Sequence, residues 1–243
     1  MAFRKAGIVA ATILTLGSSL AAASALQVTP VNIQVQAPGA ASVITLSNPG
    51  NEPLAAQLRI FKWTRKNGKD ELVPTNAVVA SPPIAKLAPG QPYVVRIVRV
   101  DKTPVEGEET YRLWVDEIPR PSAAAPSFGP RFALRHSIPV FFTDPAAVPR
   151  LSWDAKISGG RLRLTARNEG GRRVRISALK VMNSSGTALG FGDGFVGYVF
   201  GRSSEQWTAK AAPKGFATGG TITIQAQGDN GPIKATAKIL AAD

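Results

Sequence analysis

The chain has no cysteine and one histidine, His136. No disulfide can form, so core burial must supply the stability. One imidazole without thiolates falls short of the three or four ligands of a typical zinc site. No Gly-x-Ser-x-Gly elbow accompanies His136, which sits in a strand-like run between Arg135 and Ser137, so a structural histidine is expected rather than a triad member. Helical periodicity is nearly absent. After the first 25 residues no apolar run approaches the ~20 residues that span a membrane. Residues 190–197 are glycine-rich but lack Gly-Lys-Ser/Thr and a following helix, which argues against a phosphate cradle and leaves a loop or strand lining. Asp116 and Glu117 are adjacent, so in a strand they face opposite ways and cannot work as a facing acid/base pair.

What is present begins with a short positive head, Arg4 and Lys5, then an uncharged apolar run over 6–20 and Ala23-Ser24-Ala25. This predicts a cleavable signal peptide over 1–25. The net charge is +13; without Arg4 and Lys5, 27 basic and 16 acidic residues remain, +11. The basic residues are dispersed, which points to an anionic partner or a solvated basic face. Export argues against nucleic acid.

Apolar residues come in short alternating bursts: Val31, Ile33 and Val35; Val43 and Thr45 with Leu46 offset; Leu58 and Ile60; Tyr111, Leu113 and Val115; Ile138, Val140 and Phe142; and a similar series from Leu162 to Ile239. Turn signals separate them, among them Asn48-Pro49-Gly50, Asn67-Gly68, Pro89-Gly90, Ser158-Gly159-Gly160 and Asn168-Glu169-Gly170-Gly171. Residues 78–97 are typical: an apolar run, then Pro82-Pro83, then a Pro89-Gly90 turn, then Val94, Val95 and Ile97. The pattern predicts an all-β protein with too many strands for one small sandwich and enough for two of ~100 residues each. Asp144-Pro145 and Val148-Pro149 mark a short, stiff linker. The Pro-, Ala- and Ser-rich stretch 120–130 reads as a mobile loop.

Three segments then stand in one order: Pro82-Pro83-Ile84 with Leu87-x-Pro89-Gly90 and Val95-Arg96-Ile97; Tyr111-Arg112-Leu113-Trp114-Val115-Asp116-Glu117-Ile118-Pro119; and residues 133–145 ending Ile138-Pro139-Val140-Phe141-Phe142. Together they resemble the periplasmic chaperones of chaperone–usher pilus (fimbrial) assembly. The likeness is good over 26–145 and weaker beyond. It implies two immunoglobulin-like β-sandwich domains, 26–145 and 149–243, joined by a short linker at an angle around a cleft. It implies a periplasmic protein that is not an enzyme and uses no cofactor, metal or ATP. Such a chaperone folds, caps and delivers pilus subunits to an outer-membrane usher by donor-strand complementation, and when free it could cap its own exposed edge by homodimerising.

The resemblance also implies sites. The donor strand should present alternate apolar side chains, and Phe128, Pro130, Phe132 and Leu134 share one parity, against Ser127, Gly129, Arg131, Ala133 and Arg135 on the other. Basic residues in the cleft should hold the subunit's C-terminal carboxylate. The positions that are Arg and Lys in the best-known members align here with Pro30 and Pro139. Arg112 in Tyr-Arg-Leu resembles the anchor of the divergent archaic branch, with Arg135 second. The rival reading is a secreted β-sandwich pilus subunit or adhesin, which should be a single incomplete sandwich. A third, an exported hydrolase or carbohydrate-binding enzyme, needs paired carboxylates or a triad around His136 and finds no support in the sequence.

Overall fold

Short β-branched runs broken by proline and glycine turns give seventeen strands and no helix across residues 26–66, 69–119, 133–209 and 214–241, which the computed structural model describes. The first ten are β1 (Gln27–Thr29), β2 (Ile33–Gln36), β3 (Ala41–Ser47), β4 (Leu54–Lys66), β5 (Lys69–Pro74), β6 (Val78–Ser81), β7 (Ile84–Leu87), β8 (Tyr93–Arg99), β9 (Glu108–Ile118) and β10 (Arg135–Thr143). They make two sheets, β1-β3-β8-β6 and β2-β10-β9-β4-β5, with β7 also paired to β4. Residues 78–97 therefore serve both sheets: β6 and β8 lie in one, and β7 crosses to the other after Pro82-Pro83. Gly90 takes φ +68° in the turn before β8, a conformation that costs a residue with a Cβ roughly 1–2 kcal/mol.

One core lies between these sheets, filled by Ile44, Leu46, Val95 and Ile97 from one side and Leu58, Leu113, Val115 and Val140 from the other. Here the sequence reading needs correction. Val31 and Val43 belong to the alternating sets expected inside, yet they are 71% and 51% exposed. β3 is apolar or β-branched on both parities, so composition does not choose its face. Pairing with β8 does: Ile44 lies opposite Val95, and that register turns Val43 outward.

The remaining strands are β11 (Leu151–Ser158), β12 (Arg161–Asn168), β13 (Val174–Asn183), β14 (Ala188–Val199), β15 (Ser203–Thr208), β16 (Thr221–Gly228) and β17 (Gly231–Ala241). Their order is β14-β13-β16-β17-β11-β12-β15. The sheet closes around a second core that includes Leu162, Leu164, Ile176, Val181, Ile222 and Ile224. The glycine-rich stretch 190–197 lies within β14 and pairs with β13 through several register shifts, as small residues at bulges allow.

A proline-bounded turn joins the two sandwiches. The Asp144 side chain accepts from the Ala146 N–H at 2.9 Å, and the Ala147 N–H donates to the Asp144 carbonyl at 2.9 Å. Buried Asn168 fastens the far end: its Oδ1 accepts from the N–H groups of Arg150 and Gly170, and its Nδ2 donates to the Arg172 carbonyl. Gly170 is needed by contact, since a Cβ there would stand 2.2 Å from the Val148 carbonyl oxygen.

Candidate functional site

β4, β9 and β10 are neighbours, and one face of each packs into the first core. The other face looks toward the second sandwich. Its rungs follow from the register: Arg59, Trp114 and Ser137; Phe61, Arg112 and Pro139; Trp63, Thr110 and Phe141. Glu108 opposite Thr143 ends the series. This face is aromatic and charged rather than plainly solvated.

The last rungs meet the second sandwich. Trp63 and Phe141 pack with Tyr198 and Phe200 in a separate buried cluster, with the Trp63 and Phe200 rings 4.6 Å apart and edge-on, a favourable aromatic geometry. Glu108 and Arg173 form an ion pair there, with side chains only 1% and 2% exposed. The Glu108 carboxylate also accepts from the Arg173 N–H at 3.2 Å and the Thr143 hydroxyl at 2.9 Å. The Arg173 guanidinium lies 3.4 Å from the Phe141 ring centroid. Beside it Arg65 donates to Glu205 at 3.0 Å; burial pushes the Glu205 carboxyl up, and Arg65 only partly offsets this.

Arg112 stands on the rung above. Its guanidinium stacks over Trp63, 3.5 Å from the ring centroid. It is half-buried, and among the described residues it has no hydrogen-bond or ion-pair partner. Burial pulls its pKa below the ordinary arginine value, with Asp70 and Tyr198 opposing. Holding a cation partly desolvated without a partner costs free energy, and an anion brought to it would offset that cost.

Arg135 is placed differently. Its Nε donates to Asp116 Oδ1, and Arg59 donates to Asp116 Oδ2 at 2.6 Å. Arg135 lies opposite Asp116, and Arg112 is four residues back along β9, roughly 13 Å at strand rise. Arg112 leans toward Trp63 and Arg135 over Trp114, so the two point to different places. Burial alone would raise the Asp116 pKa, but hydrogen bonds from Arg135 and Arg59 outweigh it and hold the carboxyl below its usual range. A folded-state pKa depressed in this way adds stability that is complete above the unfolded value of about 4 and is lost as pH falls through the folded value. Unfolding midpoints of wild type and Asp116→Asn, measured from pH 6 to pH 2, should therefore converge below about pH 4.

β10 also offers an open edge. The Glu117 N–H donates to the Leu134 carbonyl at 3.0 Å, and the Ala37 N–H donates to the Thr143 carbonyl at 2.9 Å on the opposite side. Backbone groups of even-numbered residues thus point to β9 and those of odd-numbered residues point outward. β2 covers the outer side only from Val140 to Thr143. Along Arg135, Ser137 and Pro139 no strand among the described residues pairs with it. Pro139 fits this edge because its missing N–H would point outward. Leu134 is 38% exposed. Phe128, Pro130 and Phe132, the rest of the expected donor face, lie outside the described residues, as does the whole stretch 120–130. His136 is held structurally, its Nε2 2.9 Å from the Leu26 carbonyl.

Sequence reasoning missed Trp63, Trp114, Phe141, Tyr198 and the Glu108–Arg173 pair. A signal existed in Phe61 and Trp63, which take the parity opposite to Leu58 and Ile60 and so mark an outer face that meets something. Among the described residues no cluster of His, Asp or Glu could hold a metal ion.

Residues 25–149 match the family of pili and flagellar-assembly chaperones through its PapD N-terminal domain. No curated protein matches the chain in sequence. Among solved structures, a chain of the CsuC–CsuE chaperone–tip adhesion subunit pre-assembly complex, from archaic chaperone-usher Csu pili of Acinetobacter baumannii, superposes with a TM-score of 0.64 at 24% identity, covering 90% of this chain and 99% of that one. The CupB2 chaperone of Pseudomonas aeruginosa gives 0.56 at 17%, covering 88% and 100%. A chain of the Salmonella enterica SafA pilin–SafB chaperone complex gives 0.60 at 17%, covering 88% and 96%. These likenesses establish the fold, and the two-sandwich plan disfavours the pilus-subunit reading. Since the family match takes in 125 of the 243 residues, the chain belongs to the pili and flagellar-assembly chaperones.

Proposed function

We propose that this chaperone captures a pilus subunit lacking one strand by lending it the outer edge of β10, and that Arg112 takes the subunit's C-terminal carboxylate. The observation that carries the reading is a juxtaposition: a sheet edge with no strand on it among the described residues lies one strand away from a half-buried guanidinium with no described partner. Backbone pairing supplies affinity and alternate side chains supply selectivity in β-augmentation. Leu134 has the parity of Ile138 and Val140, so Phe128, Pro130 and Phe132 would continue the same apolar row into the subunit's groove. The driving free energy is strand pairing and apolar burial, with no nucleotide and no catalytic step. CsuC–CsuE and SafA–SafB are complexes of a chaperone with a subunit, which supports the same kind of partner here. We place the protein in the periplasm after loss of residues 1–25, passing its cargo to an outer-membrane usher. When free, two copies would cap each other's edge, because an open strand seeks a partner.

A strand-deficient pilus subunit co-expressed with the chain should yield a one-to-one complex. In it the outward amides of Arg135 and Ser137 should be protected from hydrogen exchange relative to the free protein. A complex that leaves both amides exchanging at the free rate would overturn donation through this edge.

A further inference from the structure

At the end of β10 away from the linker, the His136 ring meets the Leu26 carbonyl and Ile138 is buried in the core, but backbone pairing is one-sided. β9 is its only strand neighbour from Arg135 to Pro139 among the described residues. Where β2 joins, Thr143 is tied to Glu108. On the outer face between, the Ser137–Trp114 and Pro139–Arg112 rungs carry no polar cross-strand bond. At the open end the pattern changes. Arg135 and Asp116 are directly opposite, and this is a non-hydrogen-bonded pair, the kind that brings side chains closest. Arg59 reaches the same carboxylate from β4 at 2.6 Å. Both guanidinium groups lie over Trp114, that of Arg135 at 4.0 Å and that of Arg59 at 5.4 Å from the ring centroid. Phe61 completes the stack 4.6 Å from Trp114. One carboxylate and one indole thus tie three strands together. Asp116 is 16% exposed, while Arg59 and Arg135 are 42% and 48% exposed. Isolated surface ion pairs contribute little, but a shared network with fixed geometry is the exception.

We infer that Arg135, Asp116, Trp114 and Arg59 form a register brace that holds the open end of β10 on β9 before any partner arrives. Arg135 is then a positioning residue rather than a carboxylate ligand. The physical need is plain. A one-residue slip of β10 would turn Leu134 and its apolar row to the other face, and a two-residue slip would set Arg135 against Trp114 or Ile118 without its carboxylate. The brace matters for capture only if the donor-edge reading above holds, but its existence does not depend on that reading.

The test has two parts. In the free protein, Arg135→Ala and Asp116→Asn should each speed hydrogen exchange at the His136 and Glu117 amides at least tenfold while leaving Leu113 and Ile138 unchanged. Arg135→Lys should restore most of the protection. Unchanged exchange at His136 and Glu117 in both variants would overturn the brace, whether or not any subunit binds. In the second part, a urea-unfolded, strand-deficient pilus subunit is diluted into each chaperone. Arg135→Ala should slow association several-fold and leave dissociation as in wild type, because the brace acts before contact. Faster dissociation with unchanged association would make Arg135 a direct ligand and sink the inference. Failure of the wild-type chain to bind would count against the donor-edge reading alone, and the exchange result would still decide the brace.

Discussion

Arg112→Ala should abolish recovery of a chaperone–subunit complex and leave the chaperone folded. The two halves have one cause. In the free protein the Arg112 guanidinium is half-buried over Trp63 without a hydrogen-bond or ion-pair partner among the described residues, so its removal breaks no ion pair and relieves a desolvated charge. In the complex the same group would meet a carboxylate in a partly dry cleft, where truncating one member of a hydrogen-bonded charge pair costs roughly 2–5 kcal/mol. That is a loss of about thirty-fold to several thousand-fold, enough to empty a pull-down. Arg112→Lys should be intermediate, keeping the charge and losing the planar stack and forked donors. Co-purification beside thermal unfolding measures both halves. Wild-type recovery from Arg112→Ala would end the anchoring role.

The second large effect is expected at the joint between the sandwiches. Arg173→Ala should destabilise the protein by about 3–5 kcal/mol, the usual consequence of leaving one member of a buried ion pair behind. Glu108 would be left with only the Thr143 hydroxyl and one backbone N–H for company, and Phe141 would lose the cation stacked on it. Glu108→Gln/Arg173→Met removes both charges while keeping most of the volume, so it should recover much of the loss. Urea unfolding of the three proteins is the measurement. A double variant no better than Arg173→Ala would show that packing, and not the orphaned charge, sets the cost. The pair also fixes how the β4-β9-β10 face meets the second sandwich, so Arg173→Ala should broaden the aromatic resonances of Trp63 and Tyr198.

Much of the architecture was legible in the residues because its signals are local. Alternation over Tyr111, Leu113 and Val115 and over Ile138 and Val140 gave strands whose faces came out as read, and Pro89-Gly90 gave its turn. Val43 was misread because a strand that is β-branched on both parities leaves the choice of face to its neighbour, and Val31 because it lies in the bend between β1 and β2 rather than in a strand. At the site, Arg112 could be proposed from its setting in Tyr-Arg-Leu. The roles of its neighbours could not, since Trp63, Phe141, Tyr198 and Arg173 come from strands and loops up to 135 residues apart in the chain.

The sequence by itself determined that this protein is all-β, built from two sandwich-sized halves, with no thiol and a single histidine. Those conclusions rest on composition, period-two alternation and turn residues, which act over a few residues at a time. The tertiary structure alone decided that, among the described residues, Arg112 has no ion-pair partner while Arg135 is tied to Asp116, that Arg173 is buried against Glu108, and that β10 has one edge no described strand covers. Each depends on strand register and on the meeting of the two sandwiches. Charge pairing and edge exposure are properties of neighbours in space, and no local pattern encodes them.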